Sequence, residues 1–261
     1  MLSVKRQLPS WDLRNRLFAS GVHLVASLGV ALLAAALVFL LWYPGWYRLM
    51  SGGQGLFALV VTVDVVLGPL ITFLIFDRQN KAWAHLRRDL LVVCVLQLAA
   101  LVYGLHAVYT ARPIALVFEV DRFRVISAKD VHLPELPDAA VAYRRLPLTG
   151  PWQLSTRKAR SAEERNDALF QGLAGTDVAQ RPLFWQPYDL ARAEAVARAR
   201  PLGQLVARYP DWKDEIASRL QAEGQVVDRI RFIPVVARGD WVALLNGDGV
   251  VLGFLPLDGF F

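Results

Sequence analysis

Apolar residues run almost unbroken three times through the first 111 positions and then give way to short alternating stretches. Leu17 to Tyr47 contains no Asp, Glu, Lys or Arg, Leu49 to Phe76 contains only Asp64, and Leu90 to Ala111 contains none. Each run exceeds the about 20 residues a helix needs to cross a bilayer, which predicts three transmembrane helices at about 18–43, 55–76 and 90–110. Ala34-Ala35-Ala36 has the small residues of a leader cleavage site. The apolar run continues to Trp42, longer than the usual about 7–15 residues of a leader, so the first run is read as an uncleaved anchor.

Beyond Ala111 the periodicity shortens. In IALVFEVDRFRVIS, Ile114 to Ser127, β-branched and aromatic residues alternate with charged ones, as in a strand or bent hairpin with one wet face. The Pro-rich passage from Leu133 to Pro151 reads as a loop. Ser161-Ala162-Glu163-Glu164 opens a helix through about Leu173, with Ser161 as the cap and the two acids at the positive helix end. Further helices are expected near Asp189 to Arg200 and Asp211 to Glu223, separated by Pro201 and Pro210. Arg231 to Leu257 returns to strand, broken by the turn signals Arg238-Gly239-Asp240 and Asn246-Gly247-Asp248-Gly249. The expected architecture is a membrane protein of three transmembrane α-helices followed by an exported α+β domain with a small antiparallel sheet, helices being inserted between its first and last strands. Its expected divisions are a basic N-terminus (1–16), a three-helix part (17–111) and the exported domain (112–261).

With 55% hydrophobic residues and a mean hydropathy of +0.34, the chain is too apolar for an ordinary soluble enzyme of 261 residues. The formal charge of +6 is concentrated in the apolar half: residues 1–109 carry nine Lys/Arg against four Asp/Glu, and residues 110–261 carry twenty against nineteen, interspersed. A basic nucleic-acid face is therefore not expected. Lys5, Arg6, Arg14 and Arg16 precede the first span and Arg78, Lys81, Arg87 and Arg88 lie between the second and third, whereas only Arg48 lies between the first and second. The positive-inside bias puts the N-terminus and second loop in the cytoplasm and residues 112–261 on the far side, which in a bacterium is the periplasm. Trp42, Tyr43, Trp46, Tyr47, Tyr103 and Tyr109 fall at that far interface and Trp83 at the other. The single cysteine, Cys94, lies in span three, so the exported part has no disulfide and depends on its core.

No G-x-S-x-G, Walker loop, H-E-x-x-H or cysteine pair is present. His23, His85, His106 and His132 are scattered and make a poor metal site. Asn246-Gly247-Asp248-Gly249 fits a tight turn better than a calcium loop, and Arg238-Gly239-Asp240 is likewise a turn. No catalytic residue, cofactor or metal is expected. Asp64 carries the sharpest signal, because an ionised carboxylate near the middle of Gly55 to Phe76 costs at least about 2.5 kcal/mol. It must be protonated, hydrated or partnered. Gly68, Ile71 and Ile75 share its helix face, and Gly68 admits a close neighbour. Pro69 removes a helical donor and is expected to free the Val65 carbonyl. Either Asp64 takes a structural hydrogen bond from Ser20, Ser27 or Gln97, or it belongs to a partner site.

Val63-Asp64-Val65-Val66-Leu67-Gly68-Pro69-Leu70-Ile71-Thr72 precedes a basic loop, a third span and an exported domain. With the closing Gly249-Val250-Val251-Leu252-Gly253, this layout resembles the TfpX/TfpZ-type accessory proteins of type IV pilins. The resemblance implies a non-enzymatic, chaperone-like inner-membrane protein that assists pilin stability, pilus assembly or surface export. Its implied partners are the type IV pilin and the assembly machinery, with the lipid bilayer around it and no nucleic acid. The expected partner-binding set is Asp64, Gly68, Pro69 and Thr72, facing the long apolar helix on which a pilin waits in the membrane. The rival role is a membrane-anchored periplasmic sensor. Its cytoplasmic pieces, about 16 and 13 residues, are too short for an output domain and would need a partner subunit.

Overall fold

The computed structural model of the protein describes residues 13–77, 81–222 and 224–261; Lys5, Arg6, Arg78 and the expected helix end at Glu223 lie outside them. The chain forms two compact units, one from the N-terminus to Val38 with Gln54–Val108, the other Phe39–Gly53 with Tyr109–Phe261.

In the first unit, α1 (Leu13–Ala36) runs on into a π-helical turn at Leu37–Trp42. The second apolar run is α3 (Gly53–Thr62), a π turn (Val63–Leu67) and α4 (Gly68–Ile75), and the third is α5 (Trp83–Thr110). As continuous helices these are 30, 23 and 28 residues long, apolar and long enough to cross a membrane. Their large side chains point outward, Leu33 and Leu96 being 75% and 65% exposed. α1 packs along α4 and the neighbouring π turn.

The second unit is built on one eight-stranded mixed sheet. β1 (Pro113–Glu119) and β2 (Arg122–Ser127) form a tight hairpin. β3 (Trp152–Thr156) lies parallel to β1, and β4 (Trp185–Pro187) pairs with β3. β6 (Arg231–Ala237) lies parallel to β2 and antiparallel to both β7 (Gly239–Leu245) and the two-residue β5 (Arg200–Pro201). β8 (Val251–Leu255) closes the order β4-β3-β1-β2-β6-β7-β8.

The expected small antiparallel sheet is thus corrected to a larger mixed one. Parallel neighbours need long crossovers, here 128–151 between β2 and β3 and the helical stretch before β6, so local turn signals could not reveal them. The expected wet face of the first strand is also corrected. Pro113 to Phe118 are all buried because β1 is central, with Leu116 and Phe118 in one core cluster and Ala115 and Val117 in another.

Ser161 Oγ accepts from the Glu164 amide at 3.1 Å and starts α6 (Ala162–Leu173). α7 (Arg192–Arg198) and α9 (Lys213–Ala222) fall in the expected places, while α8 (Leu202–Arg208) fits unannounced between the two prolines. α8 and α9 cover one face of β6 and β7 through Leu205, Ile216, Phe232 and Leu244. Arg238–Asp240 turns β6 into β7, and Asn246 Oδ1 takes the amides of Asp248 and Val250 at 3.0 and 2.9 Å in the turn to β8.

One piece of this core comes from far away in sequence. The connector between the first and second apolar helices carries α2 (Tyr47–Met50), and Met50 is wholly buried among the sheet residues. Its carbonyl accepts from the Arg238 amide at 2.8 Å, Trp46 meets Trp241 at 6.3 Å and Tyr47 meets Phe254 at 6.0 Å between ring centroids.

Candidate functional site

The site forms around the π turn of the first unit. In an α-helix the Asp64 carbonyl would take the Gly68 amide; in π register its donor would be Pro69, which has no N–H. The carbonyl freed by Pro69 is therefore that of Asp64 rather than the Val65 carbonyl expected from α-helical spacing. Gln97 Nε2 donates to it at 3.1 Å. Gly68 makes this possible, since a Cβ there would overlap the Gln97 amide.

The same stretch is held to α1 by polar contacts at two further levels. Ser20 Oγ donates to the Pro69 carbonyl at 3.0 Å, and His23 Nδ1 and Thr72 Oγ1 share a hydrogen bond of 2.6 Å. Nearer the chain's basic end, Arg16 Nη1 donates to the Leu74 carbonyl at 2.9 Å, and its Nη2 lies 3.5 Å from Asp77. Two of the three side chains expected to satisfy Asp64, Ser20 and Gln97, thus serve backbone carbonyls.

The Asp64 side chain is left in a different position. It is 9% exposed, and Oδ1 has no hydrogen-bond partner among the described residues. Asp64 is among the residues lining a cleft of about 590 Å³ between α1 and α5, whose wall on α1 carries the small side chains Ala19, Ala26, Ser27 and Ala31. Cys94 and Leu98 form part of the opposite wall. Of the four expected partner residues, Asp64 and Thr72 line this cleft, whereas Gly68 and Pro69 are buried against their own chain and shape the turn. The α1–α5 cleft was not legible in the sequence, although the small residues Ala19, Ala26, Ser27 and Ala31, seven, one and four positions apart, were its available trace. Among the described residues no cluster of His, Cys, Asp and Glu could hold a metal ion.

Three helices apolar and long enough to cross a membrane, a largely apolar cleft between two of them and a mixed-sheet domain describe a two-unit protein whose helices suit membrane association. The family described as Fimbrial assembly protein FimB matches residues 11–52, the segment that runs from the first apolar helix through the buried connector. Fimbrial assembly proteins of Dichelobacter nodosus from serogroups I and E1 are 34% and 33% identical over 244 residues, covering 92% of this chain and 95% of theirs. The protein of serogroups C1 and C2 is 42% identical over 120 residues, 46% of this chain and 91% of its own. The chain belongs to the FimB fimbrial assembly protein family. No solved structure matches it.

Proposed function

We propose that this protein is a non-enzymatic inner-membrane accessory protein of fimbrial biogenesis, of the TfpX/TfpZ type, that holds a type IV fimbrial subunit by its membrane helix before or during assembly. The observation that carries this reading is that Asp64, a residue of the α1–α5 cleft wall, has a buried Oδ1 with no hydrogen-bond partner among the described residues. A buried acceptor in an apolar setting favours an occupant that brings a donor, and small residues along α1 suit the close approach of a helix. The names of the relatives, all fimbrial assembly proteins, supply the biological setting. The burial of Met50 in the C-terminal domain fits a topology in which connector and domain share the periplasmic side.

Cys94 gives a direct test because it lines the cleft and is the chain's single cysteine. Cysteines placed along the membrane helix of the fimbrial subunit are expected to crosslink to Cys94 in cells at one helical face. Filling the cleft with Ala26→Trp is expected to abolish that crosslink and lower surface fimbriae while the protein level holds. Surface fimbriae that depend on the protein, with no crosslink at any position, would remove the cleft from the account. Fimbriae unaffected by loss of the whole protein would remove the function itself.

A further inference from the structure

A second docking surface is built into the mixed-sheet unit around α6. Helices of this length are normally held by burying an apolar stripe. α6 buries no residue at all, and Leu169, Phe170 and Leu173, which share one face, are 62%, 72% and 84% exposed. Its opposite face does the anchoring through charge. Arg157 grips Glu164 with two hydrogen bonds of 2.5 and 3.0 Å, and Arg181 Nη2 holds Asp167 at 2.6 Å. The apolar face is thus held outward by its own domain.

Beside it lies a cleft of about 460 Å³ between α6, the β1–β2 tip and α7, with Phe118 and Phe184 in its lining. Val120, 65% exposed and at φ 57°, stands at the hairpin tip on its rim. The charges are unequal. Glu119 is taken by Arg124 and Arg157 by Glu164, which leaves Lys158, Arg165 and Arg198 against Glu194 as exposed charges in no ion pair among the described residues. An interfacial lipid-binding helix carries Lys and Arg on its polar face. α6 carries Glu163, Glu164 and Asp167 with the one Arg165, so its composition favours a protein occupant over a lipid surface.

We infer that the Leu169–Phe170–Leu173 ridge and the basic cleft beside it bind a protein surface whose apolar side chains are flanked by carboxylates. Under the proposed function, on which the identity of the partner rests, that surface belongs to the soluble head of the fimbrial subunit. The ridge supplies the apolar contact area, and Lys158, Arg165 and Arg198 select and orient the acidic flank.

The test uses the full-length protein in nanodiscs, carrying Cys94→Ser and Ala174→Cys labelled with an environment-sensitive dye, and the fimbrial subunit lacking its membrane helix as the probe. Saturable binding is expected, weakened about tenfold or more by Leu169→Ser with Leu173→Ser and several-fold by Arg165→Glu, with Arg165→Lys restoring it. Raising salt from about 50 to about 500 mM is expected to weaken it as well. Circular dichroism identical to that of the parent protein shows that the variants keep α6. No binding, or equal affinity for all variants, overturns the inference. So does binding of the ridge to phosphatidylglycerol vesicles, or a ridge-dependent dimer, in place of the subunit. Surface fimbriae separate the two claims: loss with Asp64→Leu but normal fimbriae with the ridge variants rejects this surface and leaves the proposed function standing.

Discussion

Two carboxylates in this protein are buried to the same extent, Asp64 in the apolar helices and Glu135 in the mixed-sheet unit, each 9% exposed. Glu135 Oε1 accepts from Arg181 Nε at 2.7 Å, and the same guanidinium reaches Asp167, so this buried charge is neutralised within its own unit. Among the described residues Asp64 has no cation in an ion pair with it and no donor on its Oδ1. Under the proposed function Asp64 lies in a bilayer core, where no water relieves a poorly paired group and an orphan is expensive. The two units thus differ in charge pairing rather than in completeness: Glu135 Oε2 is buried without a hydrogen-bond partner too, but its carboxylate has a cation beside it, whereas Asp64 has none among the described residues.

The largest effects should come from breaking the satisfied charge. Arg181→Met leaves Glu135 buried without its partner and should destabilise the mixed-sheet unit by about 3–5 kcal/mol in denaturant titrations of the full-length protein. If Asp64→Leu cost as much, the contrast between the two carboxylates would collapse. Met50→Ala should cost about 2–5 kcal/mol and lower the stability of the sheet rather than that of the helices, because Met50 packs with Phe123, Ile233 and Trp241. Hydrogen exchange resolved by segment would read this, with faster exchange in β6 and β7 expected and an effect confined to α1 and α3 contradicting the shared core.

Smaller effects sharpen the comparison. Gln97→Leu removes the donor to the Asp64 carbonyl and should cost about 0.6–2 kcal/mol in a thermal melt of the nanodisc-embedded protein. An unchanged melt would mean that the π turn does not need Gln97. The smallest effect concerns α6. The Arg157 guanidinium holds the Glu164 carboxyl down to about 2, below its ordinary 4.5. A depressed carboxyl stabilises the fold above its unfolded value and loses that contribution as pH falls, so the anchoring of α6 should weaken between about pH 4.5 and about pH 2. A dye at Ala174→Cys should report this transition, and Glu164→Gln should flatten it.

Much of this architecture was legible because it is written locally. The three apolar runs form three long helices, Ser161 caps α6 where its sequence places it, and the Arg238–Asp240 and Asn246–Gly249 turns stand where glycine and asparagine put them. What stayed hidden depends on residues far apart. The parallel pairings of β1 with β3 and β2 with β6, and the seat of Met50 in the sheet core, join segments that no window of periodicity spans. At the site, the Asp64 anomaly was legible as a charge out of place. Helical spacing alone pointed to the Val65 carbonyl, since nothing in the apolar pattern distinguishes α from π register.

The central claim is that Asp64 waits for a partner instead of stabilising its own chain. The most direct measurement quantifies this protein and surface fimbriae in the same cells carrying Asp64→Asn or Asp64→Leu. Removing an unpaired buried carboxylate makes the helices cheaper to insert, so the account predicts unchanged or higher protein abundance together with a fall in surface fimbriae and in co-purified subunit. Abundance falling in step with fimbriae, more for Leu than for Asn, would make Asp64 a structural residue, and normal fimbriae at normal abundance would contradict any role for it.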